Sequence, residues 1–173
     1  YETLHLWDGG VYDNLGDEPL FDPGAGWRDG VDFLVVSDAS GLFKEQEYSF
    51  GVSPLKRLLD IAISQVRGVR TRAIVDYMAR DEGGKGIFLH IDNTVPSIVE
   101  SAQAKDPTIK SPPSAALNRV LGEEAVNLAA NMGTHIRDLQ AAEFDLLFRQ
   151  GFEVANATYF GYINQDKWLN FKS

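Results

Sequence analysis

Trp7-Asp8-Gly9-Gly10-Val11-Tyr12-Asp13-Asn14-Leu15-Gly16-Asp17-Glu18-Pro19-Leu20 is the stretch on which the reading of this chain turns. The apolar run Leu4 to Trp7 leads into it and reads as a short buried strand. Asp8 then stands at the end of a strand, where α/β folds place functional groups. Gly9 and Gly10 free the backbone for positive φ and for close approach of another segment. Asn14 can brace such a turn through its side-chain amide. The plainer reading is that Asp8 only caps a turn, and on pattern alone that is the commoner case.

Working outward, Asp8 to Leu15 reads as a turn rich in Gly, Asp and Asn, and Gly16 to Phe21 as a short helix with Asp17 and Glu18 in its first turn. Asp22 to Gly30 reads as a loop, and Phe33 to Val36 as a second buried strand. A long helix is predicted from Pro54, with Ser53 as its N-cap. Leu55, Leu58, Leu59, Ala62, Val66, Ala73 and Tyr77 give it an apolar stripe, and Gly68 marks a place for a kink. Ile87 to Ile91 is a third strand, Asp106 to Pro113 a surface loop, and Glu123 to Ala130 a short helix. Ala141 to Phe160 is a long helix with Phe144, Leu147, Phe148 and Phe152 on one face. Strand, strand, helix, strand, helices is the order of an α/β layer structure.

Composition narrows the function classes. The chain has 173 residues, 44% of them apolar, enough for one sizeable core. A formal net charge of −9 argues against nucleic acid as a partner. The absence of cysteine excludes disulfides, thiolate metal sites and cysteine nucleophiles. No apolar run approaches membrane-spanning length. The start at Tyr1, without Met, reads as a fragment or processed product.

The quoted stretch resembles the Asp-Gly-Gly/Ala motif of patatin-like phospholipases, with Asp8, Gly9, Gly10 and Asn14 at matching positions. Gly16 stands where many members carry Pro. Val31 to Ser37, Leu55 to Arg80 and Thr134 to Ala157 resemble the strand and helices that follow the motif in that family. The resemblance implies a three-layer α/β fold, a sheet flanked by helices, of which residues 1–173 would be the C-terminal portion. It also implies lipid acyl ester hydrolysis by a Ser-Asp dyad, with Asp8 as the base. A carboxylate of ordinary pKa, about 4, is a weak base for a hydroxyl. It must therefore sit within hydrogen-bond reach of the serine in a partly desolvated site.

One departure is decisive: no Gly-x-Ser-x-Gly occurs in the chain. Gly51-Val52-Ser53-Pro54 lacks the closing Gly and precedes a helix. The family carries its nucleophile and oxyanion loop N-terminal to the aspartate. The resemblance therefore implies a partner segment bearing them and a chain that is inactive alone. No cofactor and no metal is expected, the location is cytoplasmic with peripheral membrane contact, and the substrate is a lipid or other acyl ester. The competing reading is a catalytically silent binding or interaction module that keeps the fold.

Other constellations are weaker. Gly24 to Gly30 precedes a strand, whereas a dinucleotide loop follows one. His5, His90 and His135 lack metal-pair spacing and read as ordinary core or surface histidines. Asp8, Asp13, Asp17 and Asp22 lack calcium-loop spacing and read as solvated acids in turns. Arg67, Arg70 and Arg72 read as a solvated helix face pairing with nearby acids. Asn156-Ala157-Thr158 is a glycosylation sequon inside a predicted helix.

Overall fold

The computed structural model describes residues 10–40, 53–80, 83–133 and 137–171. Leu4 to Trp7, Asp8, Gly9, His5 and His135 lie outside the described residues. In chain order the elements are α1 (Gly10–Asp13), β1 (Phe21–Asp22), β2 (Gly26–Trp27), β3 (Leu34–Asp38), α2 (Ser53–Met78), β4 (Gly86–His90), α3 (Val95–Lys105), α4 (Ser114–Leu117), α5 (Glu123–Ala130) and α6 (Ala141–Tyr162). The chain is mixed α/β. It divides into two compact units, residues 1–36 with 43–86, and residues 37–42 with 87–173.

In the first unit, the predicted helix over Gly16 to Phe21 is absent. The Asp13 carboxylate takes the N–H groups of Gly16 (3.0 Å) and Glu18 (2.9 Å). Gly16 turns to φ +67°, which only glycine adopts readily. The chain then closes a turn through bonds from the Leu20 and Phe21 N–H groups to the Asp17 carbonyl, both 2.9 Å. A minimal antiparallel hairpin, β1 with β2, occupies part of the expected loop Asp22 to Gly30. Phe21, Trp27 and Tyr77 pack with ring centroids 5.0–5.6 Å apart and pin that hairpin to α2. Gly26 is obligatory there, because a Cβ would lie 2.1 Å from the Tyr77 hydroxyl.

β3 lies one residue later than predicted and runs on to Asp38, pairing with β4. Leu34 N–H donates to the Lys85 carbonyl and Ile91 N–H to the Asp38 carbonyl, both at 3.1 Å. Like ends meet, so the strands run parallel, with α2 on the crossover between them. Helix α2 passes through Gly68 without a break. Its apolar stripe is not a core face along its length: Ile74 is fully buried, but Leu55, Leu58, Leu59 and Val66 are exposed.

The second unit has a regular core of Val95, Ile98 and Val99 from α3 against Val154 and Ala157 from α6. Each of the valine and isoleucine side chains contributes about 1.5–3 kcal/mol on burial. Helix α3, which the sequence reading passed over, is held by a capping box. Ser97 N–H donates to Thr94 Oγ1 at 3.2 Å and Thr94 N–H to Ser97 Oγ at 3.1 Å. Helix α6 exists as predicted, but the face differs. Phe144 and Phe148 stack in solvent, whereas Gln150, Glu153 and Asn156 are buried. Those polar groups are matched: Gln150 Nε2 donates to the carbonyls of Ile91 (2.7 Å) and Asn93 (3.0 Å). The sequon at Asn156 to Thr158 is buried within α6.

Candidate functional site

Of the motif residues, Asp8 and Gly9 lie outside the described set. Gly10 opens α1, and Asn14 is exposed just past its end. The loop that continues the motif, residues 10 to 22, is closely described. Its geometry is set by four charged side chains from two elements of the first unit.

Arg70 projects from the middle of α2 into this loop. Its Nη1 lies 2.9 Å from Asp17 Oδ1, 2.7 Å from Glu18 Oε2 and 3.9 Å from Asp13 Oδ1. The guanidinium also sits over the Tyr12 ring, 5.5 Å from its centroid. One cation therefore answers three carboxylates and one aromatic face within seven consecutive residues, Tyr12 to Glu18. The expectation that Arg70 pairs with nearby acids holds. The expectation that Asp17 is a solvated turn acid does not: it is only 2% exposed.

Asp17 carries a mismatch. Its Oδ1 is bonded to Arg70, but its Oδ2 is buried without a donor among the described residues. Burial, then the hydrogen bond and charge of Asp13, raise the Asp17 pKa against the pull of Arg70. For Asp13, burial acts upward but is outweighed by the Glu18 N–H, by Asp17 and by Arg70, so its pKa falls below the ordinary value. The two carboxyls are coupled, and their surroundings drive the pKa of Asp17 up and that of Asp13 down. Burial also works against the Arg70 charge, but Glu18 and Asp17 more than compensate and hold the guanidinium protonated.

A second cluster lies at the carboxyl ends of β3 and β4, in the second unit. His90 bonds the Asp92 carboxylate through Nδ1, and its Nε2 lies 3.5 Å from Asp38 Oδ2. Ser40 N–H donates to Asp38 Oδ1 at 3.0 Å. His90 is thus more than an ordinary surface histidine: it ties together two strand ends. A signal existed in the sequence, since both Val36-Ser37-Asp38 and His90-Ile91-Asp92 end apolar runs with an acid. A carboxylate thus faces each nitrogen of the ring. Among the described residues no group of His, Asp and Glu could hold a metal ion.

Ser53 is the first residue of α2, and the residues before it, 41–52, lie outside the described set. Among the described residues no helix is long and apolar enough to cross a membrane. Neither a family model, nor a curated protein, nor a solved structure matches this chain.

Proposed function

We propose that this chain is the C-terminal portion of a patatin-like serine acyl hydrolase acting on lipid or other acyl esters. In this reading Asp8 is the base of a Ser-Asp dyad, and Gly9, Gly10 and Asn14 shape the loop around it. The observation that carries the reading is the Asp8-Gly9-Gly10 motif running directly into a loop clamped on α2 by Arg70. A base that must meet a hydroxyl within hydrogen-bond distance needs such a fixed flank. No metal or organic cofactor enters the dyad.

The serine comes from a partner segment carrying Gly-x-Ser-x-Gly. Support for such a segment lies in apolar surface left open. Strand β3 buries Leu34 and Val36 but leaves Val35 54% exposed. Parallel sheets are covered on both faces in complete folds, as in the three-layer patatin arrangement. On α2, Leu55 and Leu58 are 68% and 62% exposed. A cytoplasmic protein that meets lipid at the membrane surface accords with the substrate class.

The test is an ester-hydrolysis assay on this chain alone and on a protein in which it follows a segment bearing the serine elbow. The chain alone is expected to be inactive. In the longer protein, Asp8→Asn should lower kcat on the order of 10²-fold or more. Asp29→Asn, in an exposed turn, is the control expected to leave kcat unchanged. Asp13→Asn is unsuitable as that control, since the Asp13 carboxylate holds two backbone N–H groups. Unchanged kcat in Asp8→Asn would refute Asp8 as the base, and a longer protein that hydrolyses no ester would leave a silent binding module as the better account.

A further inference from the structure

A cavity of about 240 Å³ in the second unit has an unbalanced lining. Phe152, Trp168 and Phe171 supply aromatic wall, and Arg119, Arg149 and Glu153 supply the charge. Glu153 is fully engaged: its Oε1 takes Arg149 Nε at 2.9 Å and its Oε2 takes the Leu121 N–H at 2.8 Å. Arg149 also donates through Nη2 to the Arg119 carbonyl and lies over the Phe171 ring, 5.8 Å from its centroid. It is therefore held rigid, while its Nη1 has no partner among the described residues. The Arg119 guanidinium has none either. The lining thus carries two arginines against one satisfied carboxylate, in a chain whose net charge is −9. Residues 168–171 form part of its wall and are held there by Asn156, which grips Leu169 at both its N–H (3.0 Å) and its carbonyl (2.9 Å).

We propose that this cavity binds a small monocarboxylate with an apolar tail. The fork of a guanidinium matches a carboxylate, and the aromatic wall takes the tail. A dry cavity of roughly 150 Å³ holds benzene; by proportion this one holds about ten heavy atoms, the size of octanoate. The assignment is independent of the hydrolase reading, since no residue of the Asp8 motif takes part.

The experiment is calorimetric titration of the full chain with sodium octanoate, with octan-1-ol as the neutral counterpart. Saturable one-to-one binding of octanoate is expected, with octan-1-ol about tenfold weaker for want of a charge-assisted hydrogen bond. Arg119→Gln, at an exposed position without partners, should cost octanoate about tenfold and leave octan-1-ol unchanged. Equal affinity for acid and alcohol, no saturable octanoate binding, or full octanoate affinity in Arg119→Gln would each overturn the proposal. 3-Phenylpropanoate, titrated in parallel and also expected to saturate, distinguishes an aryl from an alkyl tail by which acid binds more tightly.

Discussion

Two buried carboxylates in this molecule are each tied to an arginine, and they are satisfied to different degrees. Glu153 on α6 has a donor on each oxygen, one from Arg149 and one from the Leu121 backbone. Asp17, in the loop after the Asp8 motif, has Arg70 on one oxygen and no donor among the described residues on the other. The Glu153 arrangement welds the α4–α5 connection to α6 and serves packing. The Asp17 arrangement keeps a carboxyl in a place where its charge is costly and couples its titration to that of Asp13.

The largest expected effect is on the satisfied pair. Arg149→Ala leaves Glu153 buried with one oxygen facing no donor. Half-exposure of Arg149 tempers the loss, which should be about 3 kcal/mol in urea unfolding. A change below about 1 kcal/mol would mean that Glu153 relaxes to solvent and that the two clusters are alike.

Arg70→Ala should cost less, about 1–2 kcal/mol, because Asp17 can accept a proton and so leave no buried charge. Its signature is local. Amides of Gly16, Glu18, Leu20 and Phe21 should lose hydrogen-exchange protection while those of α3 and α6 keep theirs. Equal loss in both places would deny Arg70 its role as the clamp of the loop.

Asp17→Asn should be nearly neutral at pH 7, within about 1 kcal/mol, since it removes a poorly matched charge. The pH dependence tells more. A carboxyl whose folded pKa is raised favours the native state in its protonated form. Its contribution is therefore gained as pH falls from its raised pKa towards 3.8 and is lost as pH rises through that window. Asparagine should abolish that slope. Comparison of urea midpoints for both proteins across the acid range measures it, and parallel profiles would refute the raised pKa.

The smallest effect belongs to an exposed counterpart, Glu143 with Arg137. The two make a bidentate pair at 2.7 and 2.8 Å, and Glu143 also takes the Gln140 N–H. The Arg137 hydrogen bonds, then the Gln140 N–H, lower the Glu143 pKa to about 2. Its contribution is present above 4.5, the ordinary value, and is lost as pH falls towards about 2. Carboxyl NMR titration should find Glu143 near that value and, in Arg137→Gln, shifted back towards the ordinary one.

Where a side chain's neighbours are its own helix or strand, sequence alone determined the outcome. The spacing of apolar residues placed α5, α6 and most of α2, and the run from Ile87 placed β4. Helix α3 was legible too, since Val95, Ile98, Val99 and Ala102 carry the i, i+3, i+4, i+7 pattern. Pro96 and the polar cap Thr94/Ser97 interrupt that pattern at its start. Asp8, Gly9, Gly10 and Asn14 could be picked out as a motif because their order is itself the signal. What only the tertiary structure decided depends on partners far along the chain. Arg70 meets Asp17 across 53 positions and Gln150 meets Ile91 across 59. Such pairings leave no local period. They invert the apparent roles of residues: Phe144 and Phe148 of α6, which look like core, are exposed, and its Gln150, Glu153 and Asn156 are buried because each finds its hydrogen bonds there.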